Sequence, residues 1–434
     1  MSMVLDASQG TVERVKALTL QVRLTFSSEV TAYFECSYFF VSFLRGPVYY
    51  QIIGEEGSKL GRRVSMENDL LKALEVSDPT GASECLRQEF KRGTDPWQIH
   101  LTLFPVVQRV LNPPFINPHL PKMYRIYREF VPLLNQEEIR RLVSLEVNEY
   151  AKRPKLEKLP SLNPLNSHVS FSDVENAIRQ KDWEKSAVLM TTFYSKQGAK
   201  EFARRLLLLG SDYLQDSLGH SISCTAFILL EMLERPEENP WPVLTTLADY
   251  FCRGEFDKTR ALRKPHYPPE EISNRSMLQA TSGRGIVNLH HTITRYAMDR
   301  VWHLFTPEED NHMLEAWREF MGNKKSAEVV LGAEEMKQVD DYAAFYNMFK
   351  KLDPQSTTNH LRRLLTEPEA RQKLSYILLR GVCDLYQNDY NPHYLTGLGS
   401  ALWVVDKYWD EAPIATNALF QYVDFFFNGL KSDD

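Results

Sequence analysis

Asp212-Tyr213-Leu214-Gln215-Asp216-Ser217-Leu218-Gly219-His220 has a counterpart far downstream, Asp384-Leu385-Tyr386-Gln387-Asn388-Asp389-Tyr390-Asn391-Pro392-His393. Each copy ends one helix, turns, and sets a histidine at the head of an apolar helix, Ser221 to Leu233 and Tyr394 to Trp409. A proline-bearing turn follows, Arg235 to Pro240 and Asp410 to Pro413. A second helix comes next, Trp241 to Cys252 and Ile414 to Phe427, and each stops at a glycine, Gly254 and Gly429. A third copy runs from His290-His291 to Phe305, turns at Thr306-Pro307, and continues to Met321. A fourth, weaker copy opens at Asp95-Pro96-Trp97-Gln98-Ile99-His100, runs to Leu111, and leads through Asn112 to Pro121 into Lys122 to Leu134.

Repeated helix pairs predict an all-α fold of stacked helical hairpins around a central cavity, because one pair alone cannot bury its apolar face. Leu229, Leu230 and Leu233 share a helical face; so do Val301, Leu304 and Phe305, and Leu398, Leu402 and Val405. Helix starts are well marked. Ser172 and Glu175 read as one capping box, Thr306 and Glu309 as another with Pro307 at the first helical position. A polar connection, Lys152 to Val169, divides an N-terminal portion, 1–150, from a C-terminal helical-repeat portion, 165–434, the two forming one compact unit. Arg253 to Arg284 reads as a long connection, either a binding loop or a surface excursion. The first 60 residues stay ambiguous: Val15 to Phe26 and Ala32 to Leu44 fit strands of a hairpin or buried helices equally.

Composition sets the outer limits. The 434 residues are 43% hydrophobic, 12% aromatic and 25% charged, a globular profile with a ring-rich interior. A net charge of −6 gives no drive toward nucleic acid or an anionic membrane. Five scattered cysteines, with no CxxC pair, point to a reducing, cytoplasmic setting. Met1 to Gly10 lacks the pattern of a signal peptide, and the longest apolar runs are too short to span a bilayer. There is no HExxH, GxSxG, P-loop or GxGxxG, so zincin, serine-hydrolase, nucleotide-triphosphatase and Rossmann chemistry lack support.

The histidines carry the chemistry. One imidazole at a helix start is an ordinary capping or packing residue, and the dipole there keeps it neutral. One at the same point of each repeat is different, because stacking brings equivalent positions together. His100, His220, His291 and His393 can then converge on one metal ion, with His290 competing for the place of His291. Nitrogen donors without thiolate suit iron, copper, nickel or zinc, and four neutral ligands call for an anionic one nearby. Tyr213, Tyr296, Tyr394 and Trp403 are candidates to wall a substrate cavity, or they are plain core. His119, His168 and His266 fall in polar connections, and His360 reads as part of a solvated face.

Leu218-Gly219-His220, Leu289-His290-His291-Thr292-Ile293-Thr294 with Ala297 and Arg300, and Asn391-Pro392-His393 resemble the questin oxidase-like family. The likeness covers roughly residues 165 to 430, with a weaker echo from 95 to 135; the first 90 residues depart from the pattern. The resemblance implies an all-helical oxygenase that acts on polycyclic aromatic polyketides, taking a small-molecule substrate and dioxygen. It implies a non-haem iron, Fe2+, held by four histidines and a carboxylated lysine. On this chain the histidines fall on His100, His220, His291 and His393. Lys373, in the helix that feeds His393, is the first choice for the lysine and Lys200 the second. The alternatives are a non-catalytic helical-repeat scaffold that binds a protein partner, and a metal-dependent hydrolase on the same site.

Overall fold

Three- and four-residue spacing of apolar side chains turns most of the described residues beyond residue 68 into helix. The structure, a computed structural model, describes residues 20–26, 30–36, 69–157, 164–165, 167–235, 239–254, 269–322, 329–330, 353–365, 370–385 and 391–431. The chain divides into two compact units, Met1–Glu55 and Glu56–Asp434.

In the first unit, β1 (Leu20–Phe26) pairs antiparallel with β2 (Val30–Cys36), Leu20 opposite Cys36 and Phe26 opposite Val30. Residues 20–26 and 32–36 of the two ambiguous stretches thus form strands of a hairpin, and 15–19 and 37–44 lie outside the described residues.

The second unit is helical. Its N-terminal part holds α1 (69–75), α2 (Pro79–Lys91), α3 (Pro96–Thr102), α4 (Phe104–Val107), α5 (His119–Phe130) and α6 (Gln136–Lys152). Next come α7 (Phe171–Arg179), α8 (Trp183–Gln197), α9 (Ala199–Ser211), α10 (His220–Glu234) and α11 (Trp241–Arg253). The last part holds α12 (Pro269–Thr281), α13 (Gly285–Val301), α14 (Pro307–Met321), α15 (Pro354–Leu364), α16 (Ala370–Leu385), α17 (His393–Lys407) and α18 (Ala412–Lys431). The connection at 152–169 lies inside this unit. No helix among the described residues is long and apolar enough to cross a membrane.

Four helices position the site. α5 packs on α10, α10 on α13, α13 on α17, and α17 back on α5, which closes a ring. α9 lies behind α10, and α18 lies behind α13 and α17. Close approach needs small residues. A Cβ on Gly210 would meet the Ser221 carbonyl oxygen at 2.6 Å, so α9 touches the first turn of α10 only because that position is glycine.

Several helix limits differ from the sequence reading, each for a local reason. Ser170, not Ser172, caps α7, with Asp173 completing the box; Val169 and Val174 are both buried around it, as a hydrophobic staple requires. Thr306 and Glu309 form their box. α12 fills the second half of the 253–284 connection, where Pro269-Glu270-Glu271 is a helix-starting sequence; 255–268 lie outside the described residues, as does His266. α13 begins at Gly285, so His290 and His291 sit in its second turn and not at its head. α18 runs through Gly429 to Lys431. The fourth copy is two short helices, α3 and α4, followed by α5 from His119.

Candidate metal centre

His119, His220 and His393 are each the first residue of a helix, α5, α10 and α17, and their rings meet. One nitrogen from each lies within 4.8 Å of the others. Ring centroids are 4.7 Å apart for His119 and His220, 5.2 Å for His119 and His393, and 5.9 Å for His220 and His393. His290, from the second turn of α13, completes the group at 4.6 Å from His220 and 4.7 Å from His393.

Hydrogen bonds on the outer nitrogens fix which nitrogen faces inward. His220 donates from Nδ1 to the Ser217 carbonyl at 2.8 Å, and His290 from Nδ1 to the Ile286 carbonyl at 2.7 Å. A carbonyl oxygen only accepts, so in both neutral rings the proton is on Nδ1 and the lone pair on Nε2. Asn391 Oδ1 accepts from the backbone N–H of His393 at 3.0 Å and from its Nδ1 at 2.9 Å, which imposes the same tautomer. Asn112 Nδ2 lies 3.3 Å from His119 Nδ1 and donates to it; a half-turn of the amide puts Oδ1 there instead and moves the ring proton from Nε2 to Nδ1. The Nε2 atoms of His119 and His393 are buried without a hydrogen-bond partner. Those of His220 and His290 face each other at 3.2 Å.

Two lone pairs at that separation repel unless something electron-poor lies between them. A 3.2 Å gap is short enough for both Nε2 atoms to reach one ion at metal–imidazole bond lengths of about 2.05 Å. Imidazoles whose outer N–H groups are held by carbonyls or amides are the usual metal-ligand arrangement. The donor set therefore fits a first-row transition ion better than calcium or magnesium, which take oxygen ligands.

The turn before α10 is shaped for this. Leu218 and Gly219 both have positive φ, 50° and 77°. At Gly219 an added Cβ would lie 2.1 Å from Thr294 Oγ1 on α13, so the glycine is needed for the backbone and for the close approach.

Burial holds all four rings neutral. It pushes His119, His220 and His393 well below the usual histidine range and His290 to about 4; neighbouring rings and Lys122 push the same way on His119, His220 and His393. Lys122 follows His119 by one turn of α5, is 0% exposed, and donates to Ser223 Oγ at 3.5 Å; burial lowers its pKa as well. Of the four histidines only His393 is partly exposed, and its Nε2 is itself buried.

The structure brings together His220 and His393 from the sequence-derived set and puts its other members elsewhere. His100 is stacked between Trp97 and Tyr124, at 4.5 and 4.1 Å, and its Nδ1 pairs with Glu146 at 2.7 Å, an acid that also accepts from the Tyr150 hydroxyl. His119 stands where His100 was expected. His291 packs on Phe320 at 4.7 Å, and its carbonyl accepts from Trp317 Nε1; neighbours on a helix point about 100° apart, and His290 takes the inner direction. Lys373 is half-buried on α16 and engaged with other groups, and Lys200 is exposed at the start of α9. Lys122, on no earlier shortlist, is the buried lysine beside the four rings. His360 is buried, not part of a solvated face.

A signal for His119 was present. Asn117-Pro118-His119 repeats the tripeptide Asn391-Pro392-His393, and each opens a helix.

The four aromatic candidates are packed or paired. Tyr213 is buried in the turn after α9, and Tyr394 packs on Phe425 and Phe426. The Tyr296 hydroxyl donates to Glu129, and its ring lies between Phe227 and Trp403. Trp403 is half-buried and donates to Asp299 at 2.9 Å. Neither of the two cavities described, one beside His100 and Glu146 and one beside Glu138 and Arg380, is lined by any of these four.

Compared with family models, with curated proteins and with solved structures, the chain matches none.

Proposed function

We propose that this chain is a metal-dependent oxidoreductase, a non-haem iron oxygenase that acts on an aromatic small molecule. The observation that carries the reading is the facing pair of proton-free Nε2 atoms of His220 and His290, with two further unpartnered Nε2 atoms, of His119 and His393, in the same buried volume. His119, His220, His290 and His393 would hold the ion. Lys122 is the lysine with the burial and the neighbourhood for the carboxylated ligand that the questin oxidase-like resemblance implies. Bound ferrous iron supplies dioxygen binding and activation. The chain's own residues do the rest: Ser217, Ile286 and Asn391 fix the ring tautomers, and the surrounding apolar helices keep bulk water out.

The test is metal content and oxygen uptake. Protein loaded anaerobically with ferrous iron should retain about one ion per chain and consume dioxygen when a hydroxylated anthraquinone is added. His220→Ala and His393→Ala should retain none. Equal metal content in wild type and both variants would sink the reading. Bound metal with hydrolysis and no oxygen uptake would favour a hydrolase instead.

A further inference from the structure

Three helices aim their starts at the candidate centre. α5, α10 and α17 begin at His119, His220 and His393, and each helix start carries a partial positive charge of about half a unit. None of these helices has an acidic residue in its first turn, and neither does α13. The starts of α2, α3, α4, α11 and α15 also lack one, whereas α6, α7 and α14 carry Glu137 and Glu138, Asp173, and Glu308 to Asp310. Among the described residues, the four rings meet one another, the Ser217 and Ile286 carbonyls and the Asn112 and Asn391 amides, and the buried Lys122 lies one turn from His119; none of these groups is a carboxylate. The four imidazoles are neutral. A divalent ion would therefore keep its full charge, in a buried place that the helix starts already make positive. A carbamate on Lys122 would remove one of the two charges and leave one.

We infer that the centre formed by His119, His220, His290 and His393 takes a small anionic oxygen donor, so that the substrate binds as a phenolate, enolate or carboxylate and not as a neutral molecule. The inference rests on the metal reading above and deepens it by naming the charge state of the substrate. The unpartnered, buried Nε2 atoms of His119 and His393 mark the place where ligands gather. Charge is the selective element: a neutral donor would offer no compensation for the ion or for the three helix starts.

Cobalt(II) is the reporter, because its visible spectrum changes with its ligands. The full chain loaded with cobalt is titrated with sodium azide and, separately, with pyridine as a neutral donor. Azide should shift the spectrum saturably and bind at least tenfold more tightly than pyridine. Acetate and phenol, added to the azide complex, should compete, and the better competitor identifies carboxylate or phenolate as the preferred class. Cobalt taken up with no azide response, with pyridine binding as well as azide, or with neither acetate nor phenol displacing azide, overturns the inference and leaves the metal reading standing. Failure to take up cobalt at all removes the metal reading beneath it.

Discussion

Replacing Asn391 by alanine removes one oxygen that serves His393 twice. Oδ1 accepts from the backbone N–H of His393 at 3.0 Å and from its ring Nδ1–H at 2.9 Å. The backbone bond is a helix-start bond, and its loss should cost about 1 kcal/mol of stability. The ring bond fixes tautomer and direction; losing such a partner usually lowers metal affinity about 10–100-fold, or roughly 1.4–2.7 kcal/mol of binding. Asn391→Asp keeps an acceptor for both bonds and makes the imidazole a stronger donor, so its affinity should stay within about threefold of wild type or improve. Competition against a chromophoric chelator with cobalt or zinc measures the affinities, and melting of the metal-free proteins measures the stability cost, roughly 2–4 °C at most. Alanine binding metal as tightly as asparagine, or aspartate binding as poorly as alanine, would refute the claim that this side chain orients a ligand.

Three further outcomes follow from the same geometry. His290→Ala should abolish tight metal binding, whereas His291→Ala, which removes a ring packed on Phe320, should keep it and lower only the melting temperature; chelator competition and melting curves on both variants decide this. Gly219→Ala should destabilise through left-handed strain of about 1–2 kcal/mol plus a clash with Thr294, and a Thr294→Ala background should relieve the clash and leave the strain and a tight contact with Phe320, as denaturant titrations would show. The metal-free protein should weaken in acid. The four histidines have folded pKa values below their unfolded value of about 6.5, so their stabilisation is complete above that pH and is lost as the pH falls through the folded values, about 4 for His290. At pH 5 His290 alone would account for about 2 kcal/mol. A denaturation midpoint that stays flat between pH 7 and 5 would contradict it.

The helical repeat was legible because buried helix faces impose a period, and a histidine after a turn stands out against apolar sequence. That logic found His220 and His393. It missed His119 because four prolines in Asn112 to Pro121 suggested an open connection, although Pro118 directly precedes a helix start. It could not separate His290 from His291, because the choice depends on how α13 is rotated, and that is set by packing against α10 and α17. His100 looked equivalent in sequence, but Glu146, on a helix that begins at residue 136, provides a partner that no local pattern reveals. Lys122 was hidden for a related reason: nothing near it in sequence tells a buried lysine from a surface one.

The ring of α5, α10, α13 and α17 recruits its donors from positions 119 to 393, across most of the second unit. No fragment that lacks either end of that span holds the complete set, so a bound ion would act as a clasp on the whole unit and not on one hairpin. Saturation at a hundred times the dissociation constant adds about 2.7 kcal/mol against global unfolding. Chelation should therefore be felt as a uniform loosening, recorded by amide exchange in helices far from any histidine.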